Sequence, residues 1–248
     1  MNFVFVSLQR INTDRESTST SLAKELAKKH RVLFVNPPID RKTLLSKDND
    51  RYVKEHIKLI KNGGTGTRSL TDNLYVLNTN SLLESINWIP STKVFSLFNY
   101  VNNRRFARDI KQALSALNFD SFILINDKDI FRSFYLKELL KPDLYIYLDR
   151  DYTLGVDYWK RHGEALEPKL IKKSDLVICN SNDFVRSAKK YNPNSFYIGN
   201  GVDLELFNND ILHDIPARLK NLDKPIIGYV GALSSLRLDL DLIINIAT

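Results

Sequence analysis

The stretch EALEPKLIKKSDLVICNSNDF, residues 164–184, decides how this chain folds. An amphipathic segment rich in Lys and Glu runs directly into the continuous apolar run Leu176–Cys179. A short polar patch follows, and from it the segment NDFVRSAKKYNP, residues 182–193, reads as the next helix, closed by Pro193. Helix, strand and helix thus follow one another with almost no loop between them. Working outward, the same alternation recurs along the chain. Strand-like runs appear at NFVFVSL (2–8), RVLFVN (31–36), NLYVLN (73–78), SFILIN (121–126), DLYIYLD (143–149), SFYIGN (195–200) and PIIGYVG (225–231), with helical segments between them. Short, continuously apolar strands separated by amphipathic helices are what a parallel sheet covered on both faces requires. The predicted fold class is therefore α/β, a doubly wound, Rossmann-like parallel sheet. In the first helical segment, STSTSLAKELAKKH (17–30), Leu22 and Leu26 with Ala23 and Ala27 form one stripe, the charged residues lie outside it, and the Ser/Thr run supplies candidate N-caps.

A length of 248 residues with 43% hydrophobic and 10% aromatic content is enough for a full core, in one large domain or one and a half. The apolar runs fall far short of the ~20 residues that span a bilayer. The start, MNFVFVSLQR, has no basic residue before its apolar run and no small-residue cleavage pattern, so it reads as a first strand and the expected compartment is the cytoplasm. The single cysteine, Cys179, excludes an intramolecular disulfide and a cysteine-based zinc site, and reads as a buried strand residue. Lys and Arg outnumber Asp and Glu by 36 to 29, a net charge of +7. Basic residues concentrate between Arg41 and Arg68 and in NNRRFARDIKQAL (102–114), which follows the apolar VFSLFNYV (94–101). Two readings stand for these clusters: solvated helix faces, or a peripheral contact with anionic lipid head groups or a phosphorylated substrate. Nucleic acid is not an expected partner, since no recognisable binding motif accompanies the charge.

After GNGVDLELF (199–207) the pattern changes. Residues 208–223 are polar, contain Pro216 and read as a linker, and residues 224–248 open a fresh strand, glycine and helix. The expected organisation is a domain over 1–207, a linker over 208–223 and the start of a second domain over 224–248. One strand and one helix bury no core of their own, so the expectation is a fragment of a two-domain protein, inactive alone.

Chemistry-bearing residues gather where strands end. In YIYLDRDYTLG (145–155), Asp149 and Asp151 flank Arg150. In an extended segment, positions two apart face the same side, so the pair reads either as a divalent-metal site or as two carboxylates at the lip of a cleft. A strand-end turn using its Asp side chains locally is the third reading. Gln9 and Arg10 follow the first strand and read either as ligand contacts or as a bridge between loops, and Asn126, Asp127 and Lys128 follow SFILI, where Asp127 reads as a ligand contact or a helix cap. Asn180 and Ser181 precede a helix that either could cap, while Asn200 and Gly201 read as a tight turn that only Asn and Gly tolerate well. His162, in WKRHGEAL, reads as surface or loop.

The order KKSDLVICNSNDF (172–184), YIGNGVDLELF (197–207), KPIIGYVGAL (224–233) resembles the GT-B glycosyltransferases of the retaining "glycosyl transferases group 1" type, especially bacterial members that build surface polysaccharides. SLAKELAKKHRVLFVNPP (21–38) and FNYVNNRRFARDIKQAL (98–114) fit more loosely. The chain departs from the pattern at QRINTDREST (9–18), which lacks the glycines usual after the first strand, and at Ala232, where many relatives carry Arg after the second glycine. The resemblance implies a nucleotide-diphosphate sugar as donor, a glycan or lipid-linked acceptor, no cofactor and no essential metal. It also implies an acceptor-binding role for this domain, with Gln9, Arg10, Lys128 and Asn180 as acceptor contacts. Asp127, Asp149 and Asp151 become the candidate catalytic residues, and Asn200, Gly201 and Gly231 stand at the hinge and donor side. Two other readings remain open: a GT-B sugar-nucleotide epimerase, and a non-catalytic ligand-binding or interaction module.

Overall fold

The computed structural model describes residues 1–11, 13, 16–46, 50–63, 66–201, 204, 207–208, 217–220, 226, 228–231 and 238–247. Two compact units result, Met1–Gly201 and Val202–Thr248. The first holds strands β1 (Asn2–Ser7), β2 (Arg31–Val35), β3 (Thr67–Ser69), β4 (Leu74–Leu77), β5 (Ile123–Asp127), β6 (Leu144–Asp149), β7 (Leu176–Cys179) and β8 (Ser195–Tyr197). Its helices are α1 (Thr18–Ala27), α2 (Arg41–Leu45), α3 (Arg51–Asn62), α4 (Thr92–Ala116), α5 (Leu136–Leu140), α6 (Asp157–Lys173) and α7 (Asn182–Ala188). Helices α8 (Ala217–Lys220) and α9 (Leu240–Ala247) belong to the second unit.

The strands form one eight-stranded sheet in the order β3-β4-β2-β1-β5-β6-β7-β8. Every neighbour pair is parallel except β3 with β4, which is antiparallel. The fold is a doubly wound, Rossmann-like α/β sheet, as the apolar runs predict. Strand β3 lies outside that prediction. Its three residues, Thr67–Ser69, are polar and too short to read as a strand, and they gain strand form by folding back on β4 at the edge of the sheet.

Alternate residues along each strand enter opposite cores, the period of two that a pleated strand imposes. Val4, Val6, Leu33, Val35, Leu124, Tyr145, Tyr147 and Val177 share one cluster with Phe95, Phe106 and Ile110 of α4, Leu136 of α5 and Leu166 and Leu170 of α6. Phe3, Phe5, Val32, Phe34, Val76, Ile125, Ile146 and Leu148 share the other with Ala23 and Ala27 of α1. Burying one Leu, Val or Phe stabilises by about 1.5–3 kcal/mol, so these layers hold the sheet's C-terminal edge rigidly in place. Ser17 caps α1 in a reciprocal capping box with Thr20. Cys179 is buried at the end of β7.

His162 corrects its sequence reading. Helix α6 begins at Asp157, so His162 is helical and faces inward, fully buried. Its ring stacks on Phe95 with centroids 4.0 Å apart, and its Nδ1 lies 3.0 Å from Thr92 Oγ1. In the second unit, the described residues of PIIGYVG (226 and 228–231) form no strand, while 224, 225 and 227 lie outside the described residues. Helix α9 falls where a helix is expected. Of the segment 208–223, residues 209–216 and 221–223 lie outside the described residues. No helix among the described residues is long and apolar enough to cross a membrane.

Candidate functional site

Strand order reverses at β1. The chain winds through β2 and β4 on one side and through β5 to β8 on the other. In open α/β sheets, ligands bind outside the carboxyl ends of the strands at such a reversal, because the flanking connections diverge and leave a crevice. Here the last residues of β1, β5 and β6, namely Ser7, Asp127 and Asp149, are all polar and buried.

Ser7 and Asp127 are register partners, so the two strand ends meet directly. Ser7 Oγ donates to Asp127 Oδ2 at 2.6 Å, and the backbone N–H of Gln9 donates to Ser7 Oγ at 3.0 Å. Arg150, just beyond β6, grips the same carboxylate with two bonds, Nε to Oδ1 at 2.5 Å and Nη2 to Oδ2 at 2.8 Å. Its third nitrogen, Nη1, donates to Asp151 Oδ2 at 2.7 Å. Burial works against the Arg150 charge, but the bonds and charge of Asp127 outweigh it and raise the guanidinium's pKa. A planar guanidinium on a carboxylate is the geometry that makes such a pair directional. Asp127 is therefore a fixed, charge-matched anchor that holds the β5 and β6 ends together.

A second knot lies beside it. Lys128 adopts a left-handed backbone conformation with φ of 56° and turns its ammonium inward, where Nζ contacts Asp149 and, at 2.6 Å, Glu167 Oε1. Tyr147 donates its hydroxyl to the same Glu167 oxygen at 2.6 Å. All four residues are buried. Burial opposes the Lys128 charge, and the two carboxylates overcome it, so its pKa is raised. Burial also raises the pKa of Asp149, with Lys128 pulling the other way. Burial, together with the Glu167 charge, drives the Tyr147 phenol well above its ordinary value and keeps it a donor. Asp129 closes the turn between β5 and α5. It accepts from the Arg132 N–H at 2.9 Å and pairs with Arg132 Nε, while Asn126 bonds the Asp129 backbone from the other side. The turn is held by Asp129, and Asp127 caps no helix.

The Asp149 and Asp151 side chains go to different partners. Strand alternation stops at Asp149, and Asp151 takes a left-handed φ of 62°. Asp149 lies under Lys128, whereas Asp151 stays at the surface against Arg150 with 66% of its side chain exposed. The two do not converge on a shared cation. Among the described residues, no three His, Cys, Asp or Glu side chains come together as a metal site.

Of the other sequence candidates, Gln9 is exposed just beyond β1 and Arg10, next to it, is half-buried. Arg10 donates to the Pro37 carbonyl at 3.1 Å and to His56 Nδ1 from both terminal nitrogens at 3.2 Å. Asn180 donates to Asn200 Oδ1 at 3.1 Å, while Ser181 caps α7 by accepting from the Asp183 N–H. In the turn after β8, the left-handed position is Gly199, with φ of 72°, and neither Asn200 nor Gly201 has a positive φ. That corrects which residue needs glycine's freedom there. Gly231 is exposed in the second unit.

Gln9, Arg10, Asp127, Lys128, Asp149 and Asp151 thus share one edge of the sheet. Sequence reasoning missed Ser7, His56, Tyr147, Asp129, Glu167 and Arg150 as the partner of Asp127. Only Arg150 carries a local cue, a cation wedged between two acids at a strand end. No protein-family model matches the chain, and no curated protein matches it in sequence.

Proposed function

We propose that the Met1–Gly201 unit is the acceptor-binding domain of a GT-B glycosyltransferase of the retaining group-1 type. It would pass a sugar from a nucleotide-diphosphate donor to a glycan or lipid-linked acceptor in bacterial surface polysaccharide synthesis. The observation that carries the reading is the polar strand-end cluster at the β1–β5 reversal, where Gln9, Arg10 and Lys128, the acceptor residues suggested by the resemblance, share the sheet edge with the Asp127–Arg150 pair. A hydroxyl-rich acceptor needs a fixed array of donors and acceptors, and the interlocked buried charges hold the exposed groups around them, Gln9 and Asp151, in place without reorganising on binding. Asp127 and Asp149 act in this scheme as positioning residues. Asp151, exposed at the rim, is the carboxylate that reaches the acceptor hydroxyl and accepts its proton as the sugar transfers. Departure of the donor diphosphate is assisted by cationic side chains on the donor side, and the roles of Asn180, Asn200, Gly201 and Gly231 rest on the resemblance alone.

The buried pairing of Asp127 and Asp149 weighs against an epimerase, which needs available acid and base carboxylates in the same cleft. A ligand-binding module is the second reading, favoured by the glycine-free segment after β1. The two separate in one assay, release of nucleoside diphosphate by the full-length protein from a panel of nucleotide sugars, with and without glycan acceptors. A transferase gives acceptor-dependent release, and replacing its general base with Asp151→Asn lowers kcat on the order of 100-fold with little change in KM. Absence of release across the panel rules the transferase reading out, and an unaltered Asp151→Asn enzyme rules out Asp151 as its base.

A further inference from the structure

Among the described residues, three cations at this edge of the sheet are met by carboxylates: Arg150 by Asp127, Lys128 by Asp149 and Glu167, Arg132 by Asp129. Arg10 is held differently. Its hydrogen bonds run to the Pro37 carbonyl and to His56 Nδ1. The state of that ring follows from its other nitrogen. His56 Nε2 lies 2.7 Å from the Thr79 carbonyl oxygen, which can only accept, so Nε2 carries the proton and Nδ1 presents a lone pair. Both holders of the guanidinium are therefore neutral, and its orientation is fixed without its charge being cancelled.

This guanidinium borders a hollow of about 170 Å³ whose lining includes Arg68, Asn36, Asn78, Tyr52 and Glu55. Arg68 comes from edge strand β3 and adds a second positive charge. Glu55 is the opposing carboxylate, and it is engaged by Arg51 Nε at 3.0 Å. Burial lowers the Arg10 pKa to about 10, which leaves it protonated at ordinary pH, while the Asp50 charge favours and the Arg132 charge opposes its protonated form. Asn36 accepts from the Ile11 N–H at 3.0 Å and donates to Asn78 Oδ1 at 2.8 Å. That chain uses the acceptor oxygen of Asn78 and leaves its NH₂ to offer. Gly66 closes the wall, where a Cβ would lie 1.6 Å from the Asn78 carbonyl oxygen, so only glycine fits. A volume well below the roughly 300 Å³ of pockets that hold a whole drug-sized ligand takes one group of a larger molecule. Two guanidiniums and amide donors around it favour a dianion with several acceptor oxygens.

We propose that Arg10, Arg68, Asn36 and Asn78 form a phosphate-binding subsite on the β2–β4 side of β1, through which the domain selects an acceptor bearing a phosphate group. The word acceptor rests on the transferase reading, whereas the phosphate subsite does not. His56 acts as a positioning residue that holds Arg10 by a neutral nitrogen. Burial lowers its pKa to about 4, which keeps the ring neutral at ordinary pH.

The test uses the full chain and calorimetric titration at low salt. Its probes are a hexose 1-phosphate, the free hexose, and phosphatidylcholine vesicles with or without a polyprenyl phosphate. The hexose 1-phosphate, the polyprenyl phosphate or both should bind, and the free hexose and plain vesicles should not. The responsive probe tells a soluble from a membrane-held source. Arg10→Gln should weaken binding about 10-fold or more, the loss expected for a charge-assisted bond, and Arg68→Gln about threefold. Should Arg10→Gln fail to fold, Arg68→Gln, at an exposed edge position, carries the test. Folded variants that bind as the unsubstituted chain does, or equal binding of hexose and hexose 1-phosphate, overturn the subsite. Phosphate binding without any turnover of nucleotide sugars would leave the subsite standing and remove the transferase reading, and turnover of phosphate-free acceptors without phosphate binding would do the reverse.

Discussion

Replacing Lys128 with Met removes the one cation between two buried carboxylates. The side chains of Lys128 and Asp149 are each 5% exposed and that of Glu167 9%, so water cannot take over the ammonium's role without the knot opening. Breaking a buried pair by deleting one partner costs about 3–5 kcal/mol, because the remaining charge stays desolvated. The higher end applies here, since two carboxylates lose their partner and only Glu167 retains another donor, the Tyr147 hydroxyl. With a urea m-value of about 2 kcal/mol/M, the midpoint falls by roughly 1.5–2.5 M, measurable by far-UV circular dichroism. The sign of the pH dependence is fixed. Burial already raises the Asp149 pKa above that of the unfolded chain, and losing Lys128 raises it further. A raised carboxylate stabilises fully below the unfolded pKa of 3.8 and loses that contribution as pH rises through the folded pKa. The variant's deficit should therefore be largest at pH 7 and shrink toward pH 4. Adding Asp149→Asn and Glu167→Gln should recover part of it. A deficit below about 1 kcal/mol at pH 7, or one that grows on acidification, would refute the description of this knot.

Two further expectations follow from named groups. His56 is buried with its pKa lowered from 6.5 to about 4, so the unfolded chain binds the extra proton first. Its contribution to stability should be complete above pH 6.5 and fall by about 3 kcal/mol as pH drops through 4. His56→Gln should flatten that slope in urea titrations, and equal slopes would contradict the buried neutral ring. On α4, Leu97, Phe98 and Val101 are exposed on the stripe that continues through Arg104, Arg108 and Lys111, with exposed Trp88 preceding the helix. If this face meets a membrane, each cation near an anionic surface adds on the order of 1 kcal/mol, and phosphatidylserine vesicles should retain the protein at low salt and release it at high salt. Retention unchanged by reversing Arg104, Arg105 and Arg108, or separately Lys54, Lys58 and Lys61, would make these residues solvated helix faces.

The strands were legible in the sequence because seven of them are short apolar runs that can only be satisfied inside a sheet, and strand ends place Gln9, Arg10, Asp127, Lys128 and Asp149 at one edge without further information. Their partners were not legible. Lys128 meets Asp149 and Glu167 across 21 and 39 residues, and Arg150 reaches Asp127 only because Asp127 pairs in register with Leu148. The Asp-x-Asp spacing misleads for a local reason, the positive φ at Asp151, which ends the alternation on which the same-side reading depends. Both histidines were hidden by helix rotation. His56 and His162 sit in charged, polar sequence, yet each lies on the inward face of its helix. Strand β3 has no apolar signature, because an edge hairpin of three residues needs none.

Amide chemical-shift mapping decides whether the sheet edge at the β1–β5 reversal holds a saccharide acceptor, as proposed. The isotope-labelled full chain, titrated with a panel of oligosaccharides and sugar phosphates, should show its largest shifts at the backbone amides of Gln9, Arg10, Lys128 and Asp151, with those of Arg104–Lys111 on α4 unmoved. Shifts confined to α4 or to the second unit, or no shifts with any member of the panel, would mean that no acceptor binds at this edge.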